Sequence, residues 1–225
     1  MNASRLSRRL TVCGFAVLIL APAAVLAVPL PVGDTPISGT TSALRPELAG
    51  TVLEDVFQPY GFTNTAGTLA MFGTVQNRVV RSDVDGTLDF YWRIVPQPNP
   101  LALPNVRDGE IFAFRVIGFD GYALDGDWRI DGVGNVPPQI ARNLGGGSVN
   151  FLFDPGVRVG EESRFFFLDT QATAYAKVGR YDLLGAPTGS ISPHFETFVP
   201  VPEPSTLALL MFAAMGWCLR RRQAA

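Results

Sequence analysis

The amino-acid sequence predicts an all-β fold, an antiparallel β-sandwich ectodomain. Several short segments alternate apolar and polar residues with a period of two, which is the pattern of a half-buried strand. Gly, Asp and Pro turn signals separate these segments, and no stretch between residues 28 and 204 keeps a helical period. Seven or more short strands joined by tight turns favour two packed sheets.

Residues 87–94 give the clearest strand pattern. Its inward face would hold Leu88, Phe90, Trp92 and Ile94, and its outward face Thr87, Asp89, Tyr91 and Arg93. Residues 110–119 repeat the pattern with Phe112, Phe114 and Val116 inward and Arg115 outward, and residues 148–153 with Val149, Phe151 and Phe153 inward. Residues 164–168 contain three consecutive phenylalanines, which is typical of a strand covered on both faces.

Three further segments are weaker strand candidates, residues 50–57, 68–80 and 172–181. The predicted turns lie at the Asp-Gly pairs that begin at Asp85, Asp108, Asp120, Asp125 and Asp131, and at Gly145–Gly147. We therefore expect a sandwich domain at residues 50–185. An extended lead-in segment, 28–49, would precede it, and a stalk, 186–201, would follow it.

The first 27 residues have the composition of a secretory signal peptide. Three arginines precede an apolar run at residues 12–20, and a stretch of small residues ends at Ala27. We expect cleavage after Ala27, with a cut after Ala24 as the alternative. An uncleaved anchor is disfavoured because the apolar run is short and Pro22 interrupts the segment.

The last 24 residues, 202–225, form a second transport segment. In order they contain Pro202, Glu203 and Pro204, an apolar run at residues 205–219, and Arg220, Arg221 and Arg222. A helix over the apolar run would be about 22 Å long, against a hydrocarbon core of about 30 Å, so it predicts a short transmembrane helix. The terminal arginines would hold its end in the cytoplasm, which leaves the folded part outside.

This order of Pro-Glu-Pro, short apolar helix and terminal arginine cluster closely resembles the PEP-CTERM sorting signal of Gram-negative bacteria. The resemblance implies an exported protein whose tail is recognised and cut near the Pro-Glu-Pro motif by an exosortase, a membrane-embedded, transpeptidase-like enzyme. Its partners would be the exosortase, the secretion machinery and the membrane, before it reaches the cell surface or the extracellular space. The resemblance covers the tail and the export signal, and it implies nothing about the fold between them.

The mature part is acidic, although the whole chain has a formal charge of only −2. The two transport segments hold six of the 18 basic residues, so residues 28–204 carry 12 bases against 20 acids, a net charge of −8. This argues against nucleic-acid binding, which needs a basic surface. Cys13 and Cys218 also lie in the transport segments, so the domain depends on its core without disulfides.

The sequence offers little material for catalysis. His194 is the single histidine, and the chain has neither a Gly-x-Ser-x-Gly elbow nor a cysteine nucleophile between residues 28 and 204. Carboxylates are plentiful, but no pair is marked as facing another across a cleft. We expect no catalytic residues and no enzyme activity; a glycan-active enzyme is the alternative.

Two groups of aspartates raise the question of calcium. They are Asp83, Asp85 and Asp89, and Asp125, Asp127 and Asp131. Ca²⁺ prefers several oxygen ligands, but neither group has the spacing of an EF-hand loop, and Asp-Gly pairs also serve ordinary turns. We therefore assign no metal site and no cofactor, and keep Ca²⁺ as an alternative. Trp92, Trp128, Tyr91 and Tyr122 could form a sugar-stacking platform, or they could pack the core.

Taken together, the sequence predicts an exported surface or matrix protein of structural or adhesive type. The resemblance to exosortase-sorted proteins implies a setting in or near exopolysaccharide or a biofilm. A carbohydrate-binding module and a calcium-stiffened adhesin domain are the alternative functions.

Overall fold

The structure is a computed structural model that describes residues 29–100, 105–186 and 189–202. Its strands are β1 (Gly33–Pro36), β2 (Gly50–Thr63), β3 (Leu69–Ser82), β4 (Leu88–Gln97), β5 (Arg107–Asp108), β6 (Glu110–Ile117), β7 (Asp125–Trp128), β8 (Ile140–Gly145), β9 (Ser148–Val157), β10 (Phe166–Asp169), β11 (Tyr175–Ala186), β12 (Ser190–Ile191) and β13 (Phe195–Pro200). A short 3₁₀ helix, Pro46–Leu48, precedes β2.

The strands form two sheets. The six-stranded sheet, here the front sheet, has the order β2-β3-β4-β10-β7, with β5 beside β3. The seven-stranded sheet, the back sheet, has the order β1-β8-β9-β6-β11-β12, with β13 also paired to β11. The strand pairs are antiparallel except for the two-residue parallel pairing of β5 with β3. The predicted all-β, sandwich-like fold is confirmed.

Trp92 lies at the centre of the core between the sheets. It is 1% exposed, and its ring centroid lies 5.4 Å from that of Phe114 and 6.0 Å from that of Phe119. Phe151 and Phe166 complete the aromatic cluster, with centroids 4.7 Å apart. Aromatic pairs at such separations stabilise a core beyond their apolar area alone.

A buried hydrogen-bond chain ties the last strand to the front sheet. The indole Nε1–H of Trp92 donates to Thr197 Oγ1 at 2.9 Å, and that hydroxyl donates to Asn77 Oδ1 at 2.9 Å. All three side chains are buried, so each needs its partner to offset the loss of water. β13 is therefore bound to both sheets, through β11 in the back sheet and through this chain to the front sheet.

The strongest strand predictions agree with the structure. Residues 88–97 and 148–157 are strands, and the predicted inward residues of β4 and β9 belong to the main core. The phenylalanine run is also covered on both faces, since Phe166 packs in the main core while Phe165 and Phe167 pack on the opposite side of the sheet.

Two local predictions differ from the structure. In β6, a register shift between Ile111 and Ala113 places Ile111 in the core and leaves the predicted inward residue Phe112 half-buried. The Asp125–Gly126 pair is a strand residue pair in β7 instead of a turn. A side chain at Gly126 would lie 2.7 Å from Leu30 Cδ1, so the glycine permits close packing within the sheet.

The two segments expected to flank the sandwich are part of it. Within the lead-in segment 28–49, β1 pairs with β8, and Leu30 and Ile37 are buried in the main core. Within the predicted stalk 186–201, β13 pairs with β11 and its last four residues are buried. Neither segment shows strong alternation, because β1 is mostly exposed and the last four residues of β13 are all buried.

The lead-in segment also covers one half of the outer face of the front sheet. Leu48 packs there in a second, smaller cluster with Val80, Tyr91, Phe165 and Phe167. Tyr91 was correctly predicted to lie on the outward face of β4, but it is only 3% exposed because of this cover. The front sheet therefore has apolar packing on both faces at this point.

We predict that Trp92→Ala lowers the free energy of unfolding by about 3–5 kcal/mol, since it removes a large ring from a closely packed core. Guanidinium denaturation of the folded protein measures this. The matched change Val84→Ala, on a side chain that is 65% exposed, should cost less than about 0.5 kcal/mol. Equal losses for the two variants would contradict the position of Trp92 at the core centre.

Candidate binding groove

An open groove of about 470 Å³ lies on the outer face of the front sheet, at the border of the part that Leu48 covers. Its walls come from β3, β4 and the loop that follows β7, and its lining residues are Gln76, Arg78, Val80, Tyr91, Arg93, Arg129, Asp131, Gly132, Val133 and Phe165. The strand register brings Arg78 opposite Tyr91 and Gln76 opposite Arg93, so these side chains are neighbours on one face. The volume is within the range of ordinary ligand sites, about 300–1,000 Å³.

Arginine side chains cover the aromatic floor of the groove. The guanidinium carbons of Arg78 and Arg93 lie 4.6 and 5.4 Å from the ring centroid of Phe165, and that of Arg129 lies 6.0 Å from the ring of Tyr91. Phe165 is 5% exposed and Tyr91 3%. A ligand would therefore meet guanidinium groups rather than open aromatic faces.

Each of the three groove arginines is paired with a carboxylate. Arg78 lies 2.7 Å from Asp55, and Arg93 lies 2.7 Å from Glu162. Arg129 binds both oxygens of Asp131, at 2.7 and 3.0 Å. The charge of each guanidinium is thus balanced by a carboxylate; Asp131 lines the groove itself, whereas Asp55 and Glu162 lie next to its lining residues.

Gln76 joins two of these ion pairs. Its amide nitrogen donates to Asp55 at 2.6 Å, and its amide oxygen accepts from Arg93 Nε at 3.0 Å. This arrangement fixes the guanidinium plane of Arg93, because it is bound both by Gln76 and by Glu162.

Two carboxylates that pair with the groove arginines, Asp131 and Asp55, have a lowered pKa and stay ionised at neutral pH. The hydrogen bonds from Arg129, and then those from Ser42, hold the pKa of Asp131 well below its ordinary value. Burial opposes ionisation of Asp55, but hydrogen bonds from Arg78 and Gln76 outweigh it and lower its pKa. The groove therefore presents charged donors and charged acceptors side by side.

Such a surface suits a ligand rich in hydroxyl groups. A hydroxyl both donates and accepts a hydrogen bond, so neighbouring hydroxyls can bind a guanidinium and its carboxylate partner together. A ligand with only acceptors or only donors would leave one member of each pair unmatched.

The covered half of the same face holds a row of aspartates. Register places Asp169 of β10 directly opposite Asp89 of β4 and Asp125 of β7. Arg45, only 1% exposed, lies 3.1 Å from Asp125 and 2.9 Å from Asp169. Its third partner is Glu47 at 2.8 Å, and its guanidinium lies 5.5 Å from the ring of Phe167.

The aspartate row has strongly perturbed protonation. Burial, together with the neighbouring charge of Asp169, raises the pKa of Asp89 well above its ordinary value. Burial also raises the pKa of Asp169, to about 6, although Arg45 acts against it. The pair therefore retains a proton at a pH where free aspartates are ionised.

The aspartates considered for calcium do not come together as one set. Asp89 is buried in the row beside Arg45, whereas Asp83 and Asp85 lie in the exposed turn after β3, where Asp85 accepts hydrogen bonds from Thr87. In the second group, Asp127 accepts from Gly39 N–H and Asp131 is bound by Arg129. Within the described ranges, no group of three or more acidic, histidine or cysteine side chains could hold a metal ion.

The four residues considered as a sugar platform do not share a surface. Trp92 is in the core, Trp128 packs against the core from β7, and Tyr91 lies on the opposite face of the front sheet. His194, between β12 and β13, is half exposed and places Nδ1 3.3 Å from the buried Asp182, whose carboxylate also pairs with Arg115.

The described chain ends close to the predicted sorting signal. β13 finishes at Pro200, and the N–H of Val201 still donates to Ala174 O at 3.0 Å. Pro202 is the last described residue. The remaining predicted sorting and processing residues, Glu203, Pro204, Arg220, Arg221, Arg222 and Ala27, lie outside the described residues.

Comparison with protein families decides the nature of this tail. Residues 200–222 match the family model described as the PEP-CTERM protein-sorting motif. The chain carries a PEP-CTERM sorting signal. Neither the curated proteins nor the solved structures compared with the chain contain a match.

The PEP-CTERM signal indicates an exported, exosortase-targeted protein that is anchored transiently in the membrane. The match begins at Pro200, inside β13, so the motif starts where the sandwich ends. No helix within residues 29–100, 105–186 and 189–202 is long and apolar enough to cross a membrane. The predicted helix at 205–219 lies outside those ranges.

Sequence reasoning missed the groove. The outward position of Arg93 and Tyr91 was visible in the alternation of β4, but Arg78 and Gln76 come from a strand with weaker alternation. Asp131 was considered only as a turn or calcium residue, and Arg129 was not considered. A useful signal would have been the arginines at alternating positions of strands predicted to be neighbours.

We predict that the free energy of unfolding falls as the pH rises from about 4 to about 7. Over this window the folded state keeps protons on Asp89 and Asp169 that the unfolded chain has released, so raising the pH favours unfolding. Carboxyls with lowered pKa, such as Asp55 and Asp131, act in the opposite direction but only at lower pH, and their contribution is complete above about pH 4.

Denaturant unfolding across this pH range provides the measurement. Asp89→Asn should reduce the pH dependence of the free energy of unfolding. The amide does not titrate in this range, and Asp169 no longer has a carboxyl group beside it. Asp120→Asn, on an exposed turn, should leave the slope as it is. A slope unchanged by Asp89→Asn would refute the protonated pair.

Proposed function

We propose that this exported protein is a non-catalytic surface or matrix component, and that the arginine groove holds polysaccharide. Its tail would anchor it until an exosortase releases it near Pro202–Pro204. The folded part would then act as a structural or adhesive element in an exopolysaccharide layer. The sorting motif supports the delivery, and the groove supports the binding.

The observation that carries the binding proposal is the row of guanidinium groups in one open groove, each bound to its own carboxylate. The pairs are Arg78–Asp55, Arg93–Glu162 and Arg129–Asp131, and they offer donors and acceptors on one face of the sheet. Hydroxyls of a glycan both donate and accept hydrogen bonds, so they can bind either member of such a pair. The groups are already oriented by one another, so a ligand need not order them.

The charge of the protein indicates which kind of polysaccharide the groove would bind. The mature part has a net charge of −8, so its surface repels strongly anionic partners at long range. The groove itself is close to neutral, which favours a neutral or weakly charged polysaccharide over a polyanion. We therefore expect the glycan to be rich in free hydroxyls.

We predict that protein released from the producing cells binds the exopolysaccharide of those cells, and that Arg93→Gln weakens this binding roughly 10- to 100-fold. That range corresponds to the loss of one hydrogen bond involving a charged group, about 1.5–3 kcal/mol. Calorimetry or a glycan array measures the affinity.

Arg142→Gln is the matched control. Arg142 also pairs with an aspartate, Asp34, but it lies on the back sheet, away from the groove. Its variant should bind like wild type. Equal weakening by both variants, or binding that Arg93→Gln does not alter, would exclude the groove as the glycan site.

A further inference from the structure

Several turns lie at the end of the sandwich from which the sorting tail extends. Register places Tyr175 opposite Pro200, Arg180 opposite Ile117, and Ile117 opposite Ser148. The hydrogen bond from Arg81 Nη2 to Thr173 O, at 3.0 Å, adds the end of β3 to the same side. We call this side the tail end; it comprises the turn 83–87, the loop 118–124, the turn 145–147, the loop 170–174 and the first residues of β11, 175–180.

The link from the tail end to the predicted membrane helix is very short. Val201 is still hydrogen-bonded to the back sheet through Ala174. Only residues 202–204 separate it from the apolar run that starts at Ser205. Three residues extend at most about 11 Å, at 3.3–3.6 Å each.

This length is comparable with the thickness of the headgroup layer. A bilayer is about 40–45 Å thick in total around a hydrocarbon core of about 30 Å, which leaves about 5–8 Å on each side. While the tail helix is inserted, the attachment point of β13 therefore lies within or just above the headgroups. The loops beside it must lie at a similar depth, because the sheets hold them at the same end.

Two apolar side chains project from the tail end. Val84, in the turn after β3, is 65% exposed, and Val178, at the irregularity in β11 between Ala176 and Gly179, is 68% exposed. The neighbouring Lys177 is the only lysine of the chain, and its ammonium lies 5.9 Å from the ring of Phe198. An apolar side chain beside a lysine is a common arrangement at membrane interfaces.

The charges of the tail end select the kind of membrane. Asp83, Asp85 and Asp120 are exposed there, against the exposed Lys177 and Arg180 and the half-buried Arg81. These charges balance, so the tail end gains no net attraction to a strongly anionic leaflet. A zwitterionic surface of phosphatidylcholine or phosphatidylethanolamine requires no such attraction.

We propose that, in the anchored state, the tail end of the sandwich rests in a zwitterionic headgroup layer, with Val84 and Val178 as its points of contact. The inference rests on the tail anchoring that is part of the proposed function. It adds that the short link fixes the orientation of the domain, so β2 and β3 run away from the membrane and their connecting turn at residues 64–68 lies at the opposite end of the sandwich.

Site-specific fluorescence tests this orientation in the full chain. With Cys13 and Cys218 changed to serine, Val84→Cys and, separately, Ala66→Cys are labelled with an environment-sensitive dye and reconstituted in phosphatidylcholine vesicles. Ala66 is exposed at the other end of β3, a strand of 14 residues that spans about 43 Å. We expect a blue shift and quenching by headgroup-attached spin labels at Val84→Cys, and neither effect at Ala66→Cys.

A second variant isolates the role of the link. Ten Gly/Ser residues inserted between Val201 and Pro202 should reduce the quenching at Val84→Cys, because the domain can then leave the surface. Quenching that persists unchanged with the insertion would contradict the short link as the cause of the contact.

The outcomes separate this inference from the anchoring itself. Flotation of the vesicles after an alkaline wash reports whether the full chain is anchored; a chain that does not float overturns both ideas. A chain that floats while the label at Val84 stays as exposed as that at Ala66 overturns only the headgroup contact. Protection of Val84→Cys that appears only in native membranes containing the exosortase would replace the lipid with a protein partner.

Discussion

The arrangement of the front sheet depends on one buried cation. Strand register brings three aspartates, Asp89, Asp125 and Asp169, side by side across β4, β10 and β7. Such a row would repel itself if it were fully ionised and unpaired. Arg45 supplies the compensating charge, and it comes from the lead-in segment, so the same contact that neutralises the row also binds this segment to the sheet.

The groove begins where the cover provided by the lead-in segment ends. With Arg45 in place, Leu48 lies over Tyr91 and Phe167, and the carbonyl of Leu48 accepts a hydrogen bond from Arg129 at 3.0 Å. Arg129 in turn is the first arginine of the groove wall. The buried ion cluster and the open groove are therefore parts of one continuous network on the outer face, one half closed and the other accessible to ligand.

The sequence predicted those strands that show a clear local pattern of apolar and polar residues. Alternation located β4 and β9 and placed Trp92 in the core, and the phenylalanine run correctly indicated a strand covered on both sides. The alternation also placed Asp89 and Tyr91 on the outward face of β4. It could not show that they are buried, because their cover comes from residues some forty positions earlier in the chain.

The failures have the same physical origin. Asp125–Gly126 has turn chemistry, but pairing with β10 makes it a strand. The predicted stalk contains β13, whose place is fixed by Thr197 between Trp92 and Asn77, over more than a hundred residues of sequence separation. β13 shows no clear alternation because its last four residues are all buried, whereas the sorting signal was recognisable because all of its parts are consecutive.

The central claim is that a complete sandwich is delivered by a tail that begins where β13 ends. Mass spectrometry of the mature protein isolated from cells fixes both termini in one measurement. The account predicts an N-terminus at Val28 and a C-terminus within residues 202–204, so that the sandwich from β1 to β13 is intact and the apolar run is gone. A mature chain that still extends to Ala225, or one cut before Thr197, would contradict it.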